Sequence, residues 1–276
     1  MMTTLLQSGP LQYTFMQHAL LAVLLLAPLY ALLGVLVINN RMAFFADTIS
    51  HAGLIGIALG TWFGWQDPSP ALIIIGLLMT FCLLIFERIA RTSLDTNMSI
   101  LSAFTTALGL TFLSKGGLFA KYSRFLIGDI LSISSTHLVY LSVLLLVILF
   151  FIFRFFNILF LASLNSSLAH SRHRHARYVQ AAFACIVAIV VSMSIPWVGI
   201  LVVNALLILP SFTARYLAKD VKSYIAWALV LSSLAGVGGL FTSYYFSTAT
   251  GATIVLIAMG FFITAICTKQ LANYFK

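Results

Sequence analysis

The feature that most limits this chain is a succession of long apolar blocks almost free of charge, of which Leu141–Phe153 is the plainest. A helix needs about 20 apolar residues to cross the hydrocarbon core of a bilayer. Nine such stretches can be marked, at 15–38, 42–64, 70–90, 98–114, 136–160, 178–195, 197–217, 223–246 and 250–268. The stretch at 98–114 is short and polar, so the expectation is eight to nine spans. Composition agrees: 62% of residues are hydrophobic and 8% charged, where soluble domains have about 45–50% and about 25%. A water-soluble globule and a disordered chain are both ruled out. A transmembrane β-barrel would need alternating strands of about ten residues, and these blocks are solid instead. The expected fold is an all-α polytopic membrane protein, a single transmembrane domain over residues 1–276.

The net charge of +9 reads as a topology signal rather than as a nucleic-acid footprint, because Lys and Arg accumulate on the cytoplasmic side of membranes. With the N-terminus outside, the inner face receives Arg41, Arg88, Arg91, Arg154, Arg172, Arg174, Arg177, Arg215, Lys219, Lys222, Lys269 and Lys276. The outer face then receives only Lys115, Lys121 and Arg124. This bias predicts an N-out, C-in chain. The outer connections would be short turns at 65–70, Ser194–Trp197 and 247–251. The first apolar run lacks a basic n-region and reads as the first span, not as a signal peptide. No phosphate-binding loop of the G-x-x-x-x-G-K-[ST] type is found, so any energy source would be another subunit or an ion gradient. Cys82, Cys185 and Cys267 lie far apart in apolar stretches, which supports neither a disulfide framework nor a thiolate metal site.

Acids and histidines inside a membrane are functional candidates by default. Of the six acids, only Asp47 falls in the interior of an expected span; Asp67, Glu87, Asp95 and Asp220 sit in or beside loops, and Asp129 near the outer surface. His51 follows four residues later, on the same helix face. A carboxylate and an imidazole pointing the same way make half of a divalent metal site suited to ions such as Zn²⁺ or Mn²⁺. The same pair could instead bond to each other and pin a helix contact, or relay protons. The small residues Ala46, Ser50, Ala52, Gly53 and Gly56 permit close approach by a neighbouring helix. Asn204, placed mid-span opposite no obvious charge, reads as polar glue or as an oxygen donor to an ion. Asp129 could guide cations at an outer mouth or cap a short helix through its carboxylate. Pro210 is expected to kink its helix and free a carbonyl. The tract Ser171–Arg177 would bind metal through its histidines or contact anionic lipid and a partner through its arginines.

The segment Met42-Ala43-Phe44-Phe45-Ala46-Asp47-Thr48-Ile49-Ser50-His51-Ala52 resembles the M-x-(F/L)-x-G-D-x-(L/I)-(S/A)-H-A stretch of the zinc/manganese/iron-type bacterial ABC transporter permeases. Phe125–Leu131 is similar to that family's (L/Y)-L-F-G-(D/S)-(I/L)-L. Val198–Arg215 is similar to its V-G-x-L-L-(V/I)-x-(A/S)-L-L-I-(I/L)-P-A-A-(T/A)-A-R signature. Ser243-Tyr244-Tyr245, followed by Gly251–Val255, is similar to its ending. Ala46 stands where the family has Gly. The coupling segment Leu164-Asn165-Ser166-Ser167-Leu168-Ala169-His170 keeps the family's Leu-Ala, with Ser167 in place of an acid and His173 in place of a glycine.

The resemblance implies a type II ABC importer-like permease in the bacterial inner membrane, with no enzymatic activity of its own. It implies a second copy of the chain as partner, two cytoplasmic ATP-binding subunits docking at 164–170, and a periplasmic or lipid-tethered metal-binding protein outside. It also implies that Asp47 and His51 briefly hold a transported Zn²⁺, Mn²⁺ or Fe²⁺, with no permanently bound cofactor. Two other classes remain open from the residues alone. One is a proton-coupled secondary transporter with Asp47 as carrier. The other is an intramembrane metalloenzyme, for which the chain lacks an H-E-x-x-H motif.

Overall fold

The computed structural model describes residues 12–65, 67–89, 94–115, 125–172 and 174–274. Among the described residues the regular structure is helical throughout. The helices are α1 (Thr14–Asn39), α2 (Ala43–Trp62), α3 (Ser69–Ile89), α4 (Leu94–Lys115), α5 (Ser135–Leu164), α6 (Ser166–Arg172), α7 (Ala176–Val198), α8 (Ile200–Leu217), α9 (Val221–Phe246) and α10 (Thr250–Tyr274). A 3₁₀ turn lies at Ile130–Ser132. All but α6 are long and apolar enough to cross a membrane, which gives nine candidate spans among the described residues. The stretch expected to be short, 98–114, belongs to a helix of 22 residues. Polar residues at its start had masked its length, because a helix end at the membrane surface tolerates them.

One expected turn is not a turn. The chain stays helical through Ser194-Ile195-Pro196-Trp197 and ends α7 at Val198. Pro196 lies in the last turn, where the missing N–H removes only one helical bond. The chain breaks instead at Gly199, whose φ of +86° is open to glycine and costly for other residues. Trp197, Val198 and Ile200 around it are buried, so this connection is enclosed by protein. Pro210, by contrast, sits within one continuous helix, α8.

The chain divides into two compact units. One comprises residues 1–38, 129–150 and 205–276. In it α9 packs on α10, and Ala31, Val35, Ala214, Tyr224, Ala228 and Leu231 form a core cluster. Asp220 caps α9 by accepting the Ser223 N–H at 2.9 Å, which satisfies one of the donors a helix start leaves open.

The other unit comprises residues 39–128 and 151–204. Its central element is α2, which packs against α3, α4 and α7. A helix surrounded in this way must present small residues where backbones meet. At Gly56, an added Cβ would lie 3.0 Å from the Leu72 Cα and 3.1 Å from the Ala71 carbonyl of α3. The small-residue stripe read from the sequence is therefore the seam of α2 with its neighbours. Thr48 fastens α2 to α4, donating to the Phe44 carbonyl of its own helix and to the Met98 carbonyl of α4 at 3.1 Å.

Candidate functional site

Asp47 and His51 lie near the start of α2, one turn apart, in the unit that α2 organises. The helix brings Asp47 Oδ1 to 3.5 Å from His51 Nε2. That is longer than a good hydrogen bond, whose heavy atoms lie about 2.7–3.2 Å apart. Side-chain exposure of 37% for Asp47 and 30% for His51 leaves both reachable, although their helix is mostly buried. The His51 Nδ1 is buried and has no hydrogen-bond partner among the described residues.

The sequence reading placed Asn204 opposite no charge; the structure places it against Asp47. Asn204 is the fifth residue of α8, not a mid-span one. Its Nδ2 donates to Asp47 Oδ1 at 2.8 Å, and its Oδ1 accepts from the Ser50 hydroxyl at 3.1 Å. A carboxylate only accepts, so this pattern fixes the orientation of the amide. Asn204 is thus tied to two residues of α2, and it holds the Asp47 carboxylate in place while leaving Oδ2 outside that bond. Ser50, fully buried, was noted in the sequence only as a small residue. Its i+3 spacing from Asp47, which puts both on one face, was the available signal.

Among the described residues no group of three or more His, Cys, Asp and Glu could hold a metal ion. A cation here would meet one carboxylate and one imidazole, with water completing its shell. Two donors on a tetrahedral ion with bonds of about 2.1 Å lie about 3.4 Å apart, so the 3.5 Å separation needs almost no rearrangement to become one edge of such a shell. Replacing Asn204 with leucine removes both of its bonds and leaves the Ser50 hydroxyl buried and unpaired. Interhelical hydrogen bonds in membranes average about 0.6 kcal/mol, and an orphaned buried group costs about 1–3 kcal/mol. Asn204→Leu should therefore lower stability by about 1–2 kcal/mol. The check is the thermal midpoint of the purified protein, which an ornamental Asn204 would leave unmoved.

Asp129 belongs to the other unit. It occupies the N-cap position of the 3₁₀ turn, but its carboxylate makes no capping bond. The Asp129 carbonyl does the holding, accepting the Ser132 N–H at 3.1 Å and the Ser132 hydroxyl at 2.8 Å. Of the two readings, capping through the carboxylate is set aside.

The 164–170 segment runs from the last residue of α5, Leu164, across Asn165 into α6. Asn165 precedes the helix and accepts the Leu168 N–H at 3.1 Å, an N-cap bond. Ala169 is buried against Ala162 and Ala176. Leu164 and Leu168, on either side of the break at Asn165, remain 71% and 58% exposed and free to meet another surface. The backbone of Ser166, Ser167 and His170 is helical, while their side chains lie outside the described ones. His173 also lies outside the described residues, as do Arg91, Lys121 and Arg124.

A helical chain with nine candidate spans among the described residues, carrying an acid and an imidazole on the helix at the centre of one of its two units, has the architecture of a membrane transport subunit. The chain belongs to the ABC 3 transport family, whose sequence profile matches residues 12–269. It is 28% identical over 253 residues to the high-affinity zinc uptake system membrane protein ZnuB of Haemophilus influenzae, covering 91% of this chain and 97% of that one. It is 26% identical over 261 residues to the manganese transport system membrane protein MntC of Listeria monocytogenes, covering 93% and 91%. Its fold matches the structure of PsaBC from Streptococcus pneumoniae in complex with Fab, with a TM-score of 0.81 at 28% identity, covering 96% of this chain and 95% of that one.

Proposed function

We propose that this chain is the permease subunit of an ATP-driven ABC importer for a divalent metal ion, with zinc the first candidate and manganese and iron the others. The observation that carries the reading is the Asp47–His51 pair, set at a chelating distance on a central helix in a chain of the ABC 3 transport family. The subunit sits in the bacterial inner membrane, N-terminus outside and C-terminus inside, as the distribution of Lys and Arg favours. It works with a second permease copy, with cytoplasmic ATPases and with an external metal-binding protein.

In this mechanism the ion is cargo. Asp47 Oδ1 and His51 Nε2, 3.5 Å apart, replace part of its water shell, and the Asn204 amide bonded to Oδ1 keeps the carboxylate from swinging away. Two protein donors suit a transport site, because a closed four-ligand cage would hold zinc too well to release it. Directional movement requires the two conformations to bind the ion with different affinity, since equal affinity shifts no equilibrium. The exposed Leu164 at the end of α5 and Leu168 on α6 are the surface through which ATPase closure is passed to the permease.

The test is uptake of radioactive zinc, manganese and iron in a metal-starved host that lacks its own importers and expresses the permease with its ATPase and binding protein. Uptake of one of these ions is expected to stop when the ATPase is inactivated and to persist when an ionophore collapses the proton gradient. Uptake that follows the proton gradient, and not ATP, would overturn the reading in favour of a proton-coupled carrier.

A further inference from the structure

A cavity of about 640 Å³ opens in the α2 unit among helix ends, and neither Asp47 nor His51 lines it. Arg41 and Arg177 line it, together with the amides of Asn39 and Gln180. The one acid described on its wall is Glu87. Neither arginine forms an ion pair with a described acid, and both are exposed. The Nδ2 of Asn39 is buried and has no hydrogen-bond partner among the described residues. The floor is apolar, with Leu83, Met98 and Phe183 all buried.

Two features of the backbone add to this. Arg41 has a φ of +57°, a left-handed conformation that is uncommon for arginine, and such strain persists where the surroundings hold it. The helices α2 and α7 both begin at the cavity, after Met42 and His175. Neither has a side-chain cap or an acid in its first turn. Their open N–H groups and positive dipole ends reinforce the field of the guanidiniums.

We propose that this cavity seats the phosphate of an anionic phospholipid headgroup. The phosphate meets Arg41 and Arg177, which recognise phosphate oxygens through paired N–H donors. Asn39 Nδ2 and the Gln180 amide supply further donors, and the glycerol and upper acyl carbons rest on the apolar floor. Helix ends lie at the membrane surface, the depth of lipid headgroups, and basic pockets between spanning helices are known headgroup sites. Leu164 on the cavity wall belongs to the surface assigned to the ATPase, so the test separates lipid from protein docking; a free phosphate would leave the apolar floor uncovered. The inference depends on the chain spanning a membrane, not on the identity of the cargo.

The test uses the assembled complex, purified in mild detergent and supplied with mixed micelles of phosphatidylglycerol and phosphatidylcholine. Retained lipid is counted by native mass spectrometry. The parent is expected to retain phosphatidylglycerol selectively. Arg41→Asn, which keeps a residue tolerant of positive φ, and Arg177→Gln should each reduce that retention about five-fold, the worth of one basic residue at a lipid surface. The charge control Lys222→Gln, on a residue outside the cavity, should leave retention unchanged. Equal retention in the parent and in the double Arg41→Asn, Arg177→Gln variant would overturn the proposal. So would displacement of the lipid by millimolar inorganic phosphate, which points to a soluble anion. Loss of ATPase subunits from the double variant with lipid retention intact would overturn it in favour of a protein-docking surface.

Discussion

Metal uptake by an Asp47→Ala variant is expected to fall at least about 100-fold, to the background of the host, with the complex still assembled. Outer-shell residues at metal sites already cost about 10–100-fold when lost, and Asp47 would be one of only two protein donors. Alanine removes the sole anionic ligand and the acceptor of the Asn204 bond at 2.8 Å together. Asp47→Asn separates the two effects. It keeps an oxygen for Asn204 and the shape of the side chain while removing the charge that offsets desolvation of the cation. Its stability should be near that of the parent and its uptake nearly as low as that of the alanine variant. His51→Ala should match it, because water is a weaker donor than imidazole for zinc. The measurement is isotope uptake normalised to the amount of assembled complex recovered from the membrane. Normal uptake by assembled Asp47→Ala would show that the ion takes another route.

The second large effect is structural. Gly199→Ala is expected to destabilise the protein by about 2–5 kcal/mol, combining the cost of a left-handed residue with that of overpacking. A Cβ at residue 199, where φ is +86°, would lie 2.5 Å from the Gly128 nitrogen and from the Ile127 carbonyl carbon. Both are backbone atoms that no rotamer change can move aside. Gly128, itself at φ +77°, faces the same contact from the other side with the Val198 backbone. The two glycines form a back-to-back joint beside the first turn of α8, the turn that delivers Asn204 to Asp47. A shifted joint would therefore lower uptake as well as yield. Gly260→Ala is the control, since a Cβ there meets nothing within 4 Å and alanine favours a helix interior by about 1 kcal/mol. A loss of thermal midpoint in Gly199→Ala no larger than in Gly260→Ala would refute the joint as described.

The spans were legible because the signal is local. Each apolar block is long enough by itself to define a helix, and its composition leaves no other way to satisfy the backbone in lipid. The Asp47–His51 face was legible for the same reason: a spacing of four within one helix fixes which side chains are neighbours.

What failed to show depended on residues far apart in the chain. Asn204 is 157 positions from Asp47, and no periodicity within α8 says which polar group it will meet. The turn at Ser194–Trp197 was misplaced because Pro196 is a strong local breaker, while the true break at Gly199 is set by the close approach of Gly128. Asp129 had the residue type of a carboxylate cap, yet the turn it precedes is closed by its carbonyl. By itself, the sequence determined that this chain is a helical membrane protein with an acid and an imidazole on one helix face. Only the tertiary structure decided which amide steadies that acid, where the buried connection breaks, and that arginines from separate helix ends share a cavity. Hydrophobic period and spacing act over a turn or two, whereas pairing between helices is settled by packing the whole chain at once.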